Sequence, residues 1–275
     1  MRGWVPIVTL AALLLSMPAG AAGPPQRIVS LNVCADQLLL GLVPRGRIVA
    51  LSKFAADPTL SPVAEVARSM KRASGRVDEV LALEPDFVVA GTSSTRLSVD
   101  LLRRLGTPVF ELATAEELST IRSETMRLAR ALDAEEAGRA MIAAFDARLA
   151  GLERPATQAS PRAAIFLESG MTLGPETLSG RVLALAGYRN AVQELGIQGF
   201  GHLSLEALVR LDPDLVVVGG TLDGGPALAS SLLSHPALAE LRAKARFVPE
   251  PRAQWVCGGP AVADALARLV PEGAS

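Results

Sequence analysis

The 275-residue sequence predicts an α/β protein of two similar lobes, each built on a parallel sheet, linked by one long helix. Three observations carry this reading. Val77 to Gly91 (Val-Asp-Glu-Val-Leu-Ala-Leu-Glu-Pro-Asp-Phe-Val-Val-Ala-Gly) recurs as Leu205 to Gly219 at a constant offset of 128 residues. Leu83, Pro85, Asp86, Val88, Val89 and Gly91 match Leu211, Pro213, Asp214, Val216, Val217 and Gly219. In both halves, short apolar runs bounded by turn residues alternate with helical patterns, as in parallel sheets covered on both faces. Between the halves Ala137, Met141, Phe145, Leu149 and Leu152 recur at spacings of 4, 4, 4 and 3, forming one apolar stripe.

The first segment is set aside before the fold is read. Arg2, the apolar stretch Trp4 to Leu15 and the small residues of Met17 to Ala22 have the form of a secretory signal peptide over 1–22. The apolar run is shorter than the ~20 residues of a spanning helix. Cys34 lies well beyond the small-residue site, which argues against a lipid-modified cysteine. The mature chain is therefore expected in an oxidising extracytoplasmic space, most simply a bacterial periplasm.

Strands are expected at Arg27 to Leu31, Arg47 to Leu51 and Thr107 to Leu112, then at Ala163 to Glu168 and Ala245 to Pro249. Each repeat copy adds an amphipathic helix stopped by Leu-(Glu/Asp)-Pro-Asp, since proline cannot continue a helix, followed by a β-rich run. A period of 128 residues is too long for a solenoid and means two lobes. The expected boundaries are an N-terminal lobe at 23–133, a connecting helix at 134–153 and a C-terminal lobe at 160–275. About 20 helical residues at 1.5 Å each give roughly 30 Å, enough to run the length of a two-lobed molecule.

Composition removes several function classes. The formal net charge is −1, with 27 basic and 28 acidic residues and no Lys/Arg run, so nucleic acid has no electrostatic handle. The chain contains no Gly-x-Ser-x-Gly elbow, His-Glu-x-x-His, Walker loop or Gly-x-Gly-x-x-Gly, and its two histidines offer few general bases. A binder is favoured over a periplasmic α/β enzyme such as a hydrolase. Two histidines also argue against a His-rich metal receptor, and no resident metal or cofactor is expected.

The mature start Arg27-Ile-Val-Ser-Leu-Asn, the paired Leu-(Glu/Asp)-Pro-Asp-(Phe/Leu)-Val-Val segments, Leu233-Ser-His-Pro-Ala-Leu and the connecting helix carry a resemblance. Together they resemble the periplasmic binding proteins for cobalamin, iron-siderophores and haem that feed ABC importers. The resemblance implies two Rossmann-like lobes joined by a single long helix, with a ligand cleft between lobes that move little. It implies a monomeric solute-binding component that captures a metal chelate, either an iron-siderophore or a cobalamin-like corrinoid. Haem is the alternative chelate. The ligand would be delivered to a permease and ATPase complex.

In open parallel sheets ligands sit beyond the carboxyl ends of the strands. That rule selects loops 32–36, 52–57, 91–96, 168–173, 199–202 and 250–259. Asn32 opens the first of them. Phe54, Phe200 and Trp255 stand at positions resembling aromatic cleft positions of cobalamin-binding relatives, and offer flat contact area for a chelate; the alternative for Phe54 and Phe200 is lobe core. Trp255 is expected to be a stacking anchor whose loss spares stability. Arg252 would pair with a ligand carboxylate or phosphate or else be a solvated surface residue. His202 would touch ligand or sit in a loop, His235 reads as structural, and Tyr188 as packing. Gly91 and Ser169 stand where cobalamin-binding relatives carry aromatics. Cys34 and Cys257, the only cysteines, would form a disulfide or act as two thiols facing the cleft.

Overall fold

Two parallel sheets, one per lobe, organise the chain. The structure is a computed structural model that describes residues 23–92, 96–219 and 235–270. The signal peptide reading at 1–22 and part of the 91–96 loop lie outside the described residues. In the N-terminal lobe the elements run β1 (Ile28–Ser30), α1 (Val33–Leu42), β2 (Ile48–Ser52), α2 (Ala64–Ala67), β3 (Arg72–Ala73), α3 (Val77–Leu81), β4 (Phe87–Gly91), α4 (Arg96–Arg104), β5 (Val109–Leu112) and α5 (Leu118–Ala131). Its strand order is β3-β2-β1-β4-β5, with all pairs parallel.

Helix α6 (Glu135–Leu152) leads into β6 (Arg162–Phe166), β7 (Met171–Leu173), α7 (Leu178–Leu185), β8 (Arg189–Asn190), β9 (Phe200–His202) and α8 (Leu205–Leu211). After β10 (Leu215–Val218) the described chain continues with α9 (Ala239–Lys244), β11 (Arg246–Pro249), α10 (Arg252–Trp255) and α11 (Val262–Leu269). The second parallel sheet has the order β11-β10-β6-β8. One sheet per lobe is thus an incomplete expectation, because β7 and β9 form a separate antiparallel ribbon pairing Met171 with His202 and Leu173 with Phe200. Strands of three residues are too short to show an apolar alternation.

Both parallel sheets are buried on both faces, which is why their strands read as continuous apolar runs. In the first, Ile28 and Val89 face one core cluster, while Val29, Ala50 and Val88 face another. In the second, Ile165, Leu215 and Val217 face one cluster, and Phe166, Val216 and Val218 the other.

The repeat extends to the backbone. Glu84 and Asp212, at matching repeat positions, both adopt left-handed conformations, with φ of 46° and 42°. Each carries the chain out of its helix just ahead of the proline. The following aspartates then clamp the start of the first strand of each lobe. Asp86 accepts from the amides of Gln26 (2.6 Å) and Arg27 (2.8 Å), and Asp214 from that of Arg162 (2.7 Å). The guanidinium of Arg27 donates to the carbonyls of Leu83 and Glu84, and that of Arg162 to the carbonyl of Asp212.

Helix α6 has 18 residues, about 27 Å at the standard rise. Its stripe divides between the lobes: Ala137 and Met141 pack on the N-terminal core, and Phe145 and Leu149 belong to the C-terminal one. Among the described residues no helix is long and apolar enough to cross a membrane.

Candidate ligand cleft

The carboxyl ends of β1 and β2 are organised around α1. Asn32 caps this helix, its Oδ1 accepting from the amides of Cys34 (2.8 Å) and Ala35 (3.1 Å). One turn on, the buried Asp36 accepts from the Ser52 hydroxyl (2.6 Å) and amide (3.1 Å), tying α1 to the end of β2. Burial raises the Asp36 carboxyl above the usual aspartate range, against the opposing pull of its serine hydrogen bonds.

Cys34 is joined to Cys257 by a disulfide with a Cα–Cα separation of 4.9 Å, so the two loops expected to face each other do meet, as a bridge. The next two residues are glycines; the first is needed for close approach to backbone, while the second faces the mobile end of the Gln37 side chain. A Cβ on Gly258 would lie 2.9 Å from the Ala115 carbonyl oxygen, and one on Gly259 would lie 2.5 Å from the Gln37 side-chain carbon. Ala115 and Ile121, from the N-terminal half, pack into the C-terminal core cluster. The lobes are therefore held together at this seam by a covalent bond and by apolar packing.

Beside the seam lies a cavity of about 350 Å³, at the lower end of the range for small-molecule sites. Its N-terminal wall is Thr114, Ala115 and Glu116, in the loop between β5 and α5. The C-terminal wall comprises Leu167, Met171, Leu173, Phe200, Glu176 and Leu178, with Glu250, Arg252, Trp255 and Val256 from the segment after β11.

Phe200, Arg252 and Trp255 are thus brought together, whereas Asn32, Phe54 and His202 do not line this cavity. Phe200 is 78% exposed, which excludes the core reading. Phe54 is 45% exposed with the Lys53 ammonium 4.7 Å from its ring centre, so it is no core residue either; it stands outside the cavity. The Asn32 side chain is committed to capping α1. His202 lies against Gly170, whose φ of 76° and lack of a Cβ make room for the imidazole. Tyr188 is buried in the C-terminal core, in line with packing.

Trp255 differs from the expectation of a stacking anchor whose loss spares stability, because the structure packs it into the core. It ends the short helix α10 and is only 2% exposed, packed among the residues of the C-terminal core while also forming part of the cavity wall. Its indole Nε1–H donates to Glu250 Oε1 at 3.1 Å. Burial raises the Glu250 carboxyl above the usual glutamate range; Trp255 and Arg252 oppose this, and Glu168 adds to it. Arg252 lies 3.7 Å from Glu168, and its charge also reaches Asp57 on the N-terminal lobe. Asp57 is held below the usual range chiefly by hydrogen bonds from Thr59.

Sequence reasoning missed Thr114 to Glu116 and Glu176. The first group was findable, since the carboxyl-end rule applied to the expected strand Thr107 to Leu112 points to the loop that follows it. Glu176 carries no such signal, because it is placed by the short ribbon.

The family profile described as Periplasmic binding protein matches residues 28–246. A cobalamin-binding protein of Halobacterium salinarum is 30% identical over 214 residues, 76% of this chain and 58% of the relative. The chain thus spans a little over half the length of that curated relative. An uncharacterized ABC transporter substrate-binding lipoprotein, YvrC, of Bacillus subtilis is 25% identical over 215 residues, covering 74% of this chain and 66% of its own. Among solved structures, a periplasmic heme binding protein from Pseudomonas aeruginosa superposes with a TM-score of 0.72 at 25% identity, covering 90% of this chain and 91% of the other.

Proposed function

Since this chain belongs to the periplasmic binding protein family, we propose that it is the extracytoplasmic solute-binding component of an ABC importer. It captures a metal chelate, an iron-siderophore or a cobalamin-like corrinoid, and delivers it to a permease and ATPase complex without turning it over. The signal peptide at 1–22 would direct export and be cleaved in the course of it, leaving lobes at 23–133 and 160–275 about the helix at 134–153.

The observation that carries this reading is the cavity walled by both lobes: Thr114 to Glu116 on one side face Phe200 and Arg252 on the other. A largely apolar recess with a few convergent polar groups and a protruding aromatic suits a flat or globular chelate. Neither histidine lines the cavity, which supports binding over hydrolysis. The name of the Pseudomonas aeruginosa structure favours haem as the second reading.

Titration of the exported protein with ferric siderophores, corrinoids and haem tests the proposal. After signal removal Trp255 is the sole tryptophan and forms part of the cavity wall, so saturable fluorescence quenching without product formation is the expected result. Turnover of hydrolase substrates, or no quenching by any chelate, would overturn it. Native mass spectrometry of protein taken from the periplasm identifies the ligand directly.

A further inference from the structure

The charged groups of the cavity wall are mostly of one sign: Glu116, Glu176 and Glu250 against Arg252. Arg252 already has Glu168 3.7 Å away. Glu116 and Glu176 are exposed and form no ion pair among the described residues. Glu250 is the fixed member of the set. It is half-buried, its Oε1 is anchored by the indole of the buried Trp255, and its Oε2 has no hydrogen bond among the described residues.

An ionised carboxylate only accepts hydrogen bonds, so this wall stabilises an N–H donor or a cation placed against it. A ligand bringing its own carboxylates would set like charges a few ångströms apart in a partly desolvated recess, where such repulsion is stronger than in water. Two such ligand charges would face three wall carboxylates with one guanidinium, itself beside Glu168, to offset them.

We propose that Glu250, together with Glu116 and Glu176, determines specificity at the cleft. These residues select chelates of zero or positive net charge, with amide or amine N–H donors at the rim, over chelates that present anionic groups. This rests on the solute-binding reading and names the ligand class for the same site.

The test uses four probes of known charge on the exported chain. Aquocyanocobinamide and ferrioxamine B are cationic, one fringed by amides and the other bearing an amine; ferric protoporphyrin IX and ferric enterobactin are anionic. The better cationic probe is expected to bind at least tenfold more tightly than either anionic one. The Glu116→Gln/Glu176→Gln/Glu250→Gln variant is expected to shrink that ratio at least tenfold, through a gain in binding of the anionic probes. Glutamine at 250 keeps an oxygen for the Trp255 indole, and an unchanged melting temperature confirms the fold. If that variant is destabilised, the exposed pair Glu116→Gln/Glu176→Gln is expected to shift the ratio in the same direction by at least threefold. A wild type that prefers an anionic probe, or a folded variant with an unchanged ratio, overturns the charge proposal and leaves the solute-binding reading standing. Binding of none of the four probes overturns both.

Discussion

Cys34 and Cys257, 223 residues apart in sequence, close a disulfide between the start of α1 in one lobe and the segment after α10 in the other. Closing so long a loop restricts the unfolded chain by an estimated ~5 kcal/mol in the chain-entropy model. Reduction, or Cys34→Ala/Cys257→Ala, is therefore expected to lower the melting temperature by more than about 5 °C. Calorimetry with and without reductant measures this. An unchanged transition would show that the Gly258–Ala115 packing holds the seam unaided.

The buried indole of Trp255 leads to a second expectation. Trp255→Ala should destabilise the fold by about 3–5 kcal/mol, as large core truncations do. Trp255→Phe should retain most of the stability while releasing Glu250 from its hydrogen bond. Urea midpoints of the two variants provide the comparison, and an alanine variant as stable as wild type would place the residue outside the core.

Phe200 is the converse case, an aromatic carried on an antiparallel ribbon and largely in solvent. Phe200→Ala is expected to weaken chelate binding about tenfold, the scale of an aromatic interface anchor, and to leave stability within ~0.5 kcal/mol. Fluorescence titration alongside thermal melting separates the two effects. Equal loss of both would mean the ring supports the ribbon instead of the ligand.

Asp36 makes stability depend on pH in a definite direction. Desolvation raises its folded pKa above the unfolded value, against the pull of Ser30 and Ser52, so the folded protein holds the proton more tightly. The stability it contributes is fully present below the unfolded pKa and is lost as pH rises through the folded one. Relative to Asp36→Asn, the wild type should therefore lose ground as pH climbs from the usual aspartate range through that raised value. Parallel urea-midpoint profiles for the two proteins between pH 4 and 8 would rule this out.

Much of the fold was legible because it is written in local or repeated patterns. The 128-residue offset exposed both Pro-Asp turns, and the structure shows why that pattern recurs: Asp86 and Asp214 each clamp the first strand of a lobe, a task that only a short acceptor just after the turn can perform. The stripe from Ala137 to Leu152 was visible because a helix that serves two cores keeps one apolar face throughout its length. The ribbon of β7 and β9 left no comparable trace, since Met171 to Leu173 and Phe200 to His202 are too short to alternate and, unlike the equally short but fully buried β1, form no continuous apolar run.

Cleft residues divide along the same line. The rule that ligands gather at carboxyl ends of parallel strands pointed to Arg252 and Trp255, which follow β11 and border the cavity; Phe200, selected by the same rule, borders it from the antiparallel ribbon instead. Burial depends on what other parts of the chain bring near a residue. Only the tertiary structure decided that Trp255 turns its ring into the core and offers Glu250 its N–H, that Phe54 stands outside the cavity and that Asn32 caps a helix. The sequence placed both cysteines in loops at the same end of their sheets. That they meet goes with Gly258 fitting against the Ala115 backbone, a contact between distant segments that no local pattern encodes.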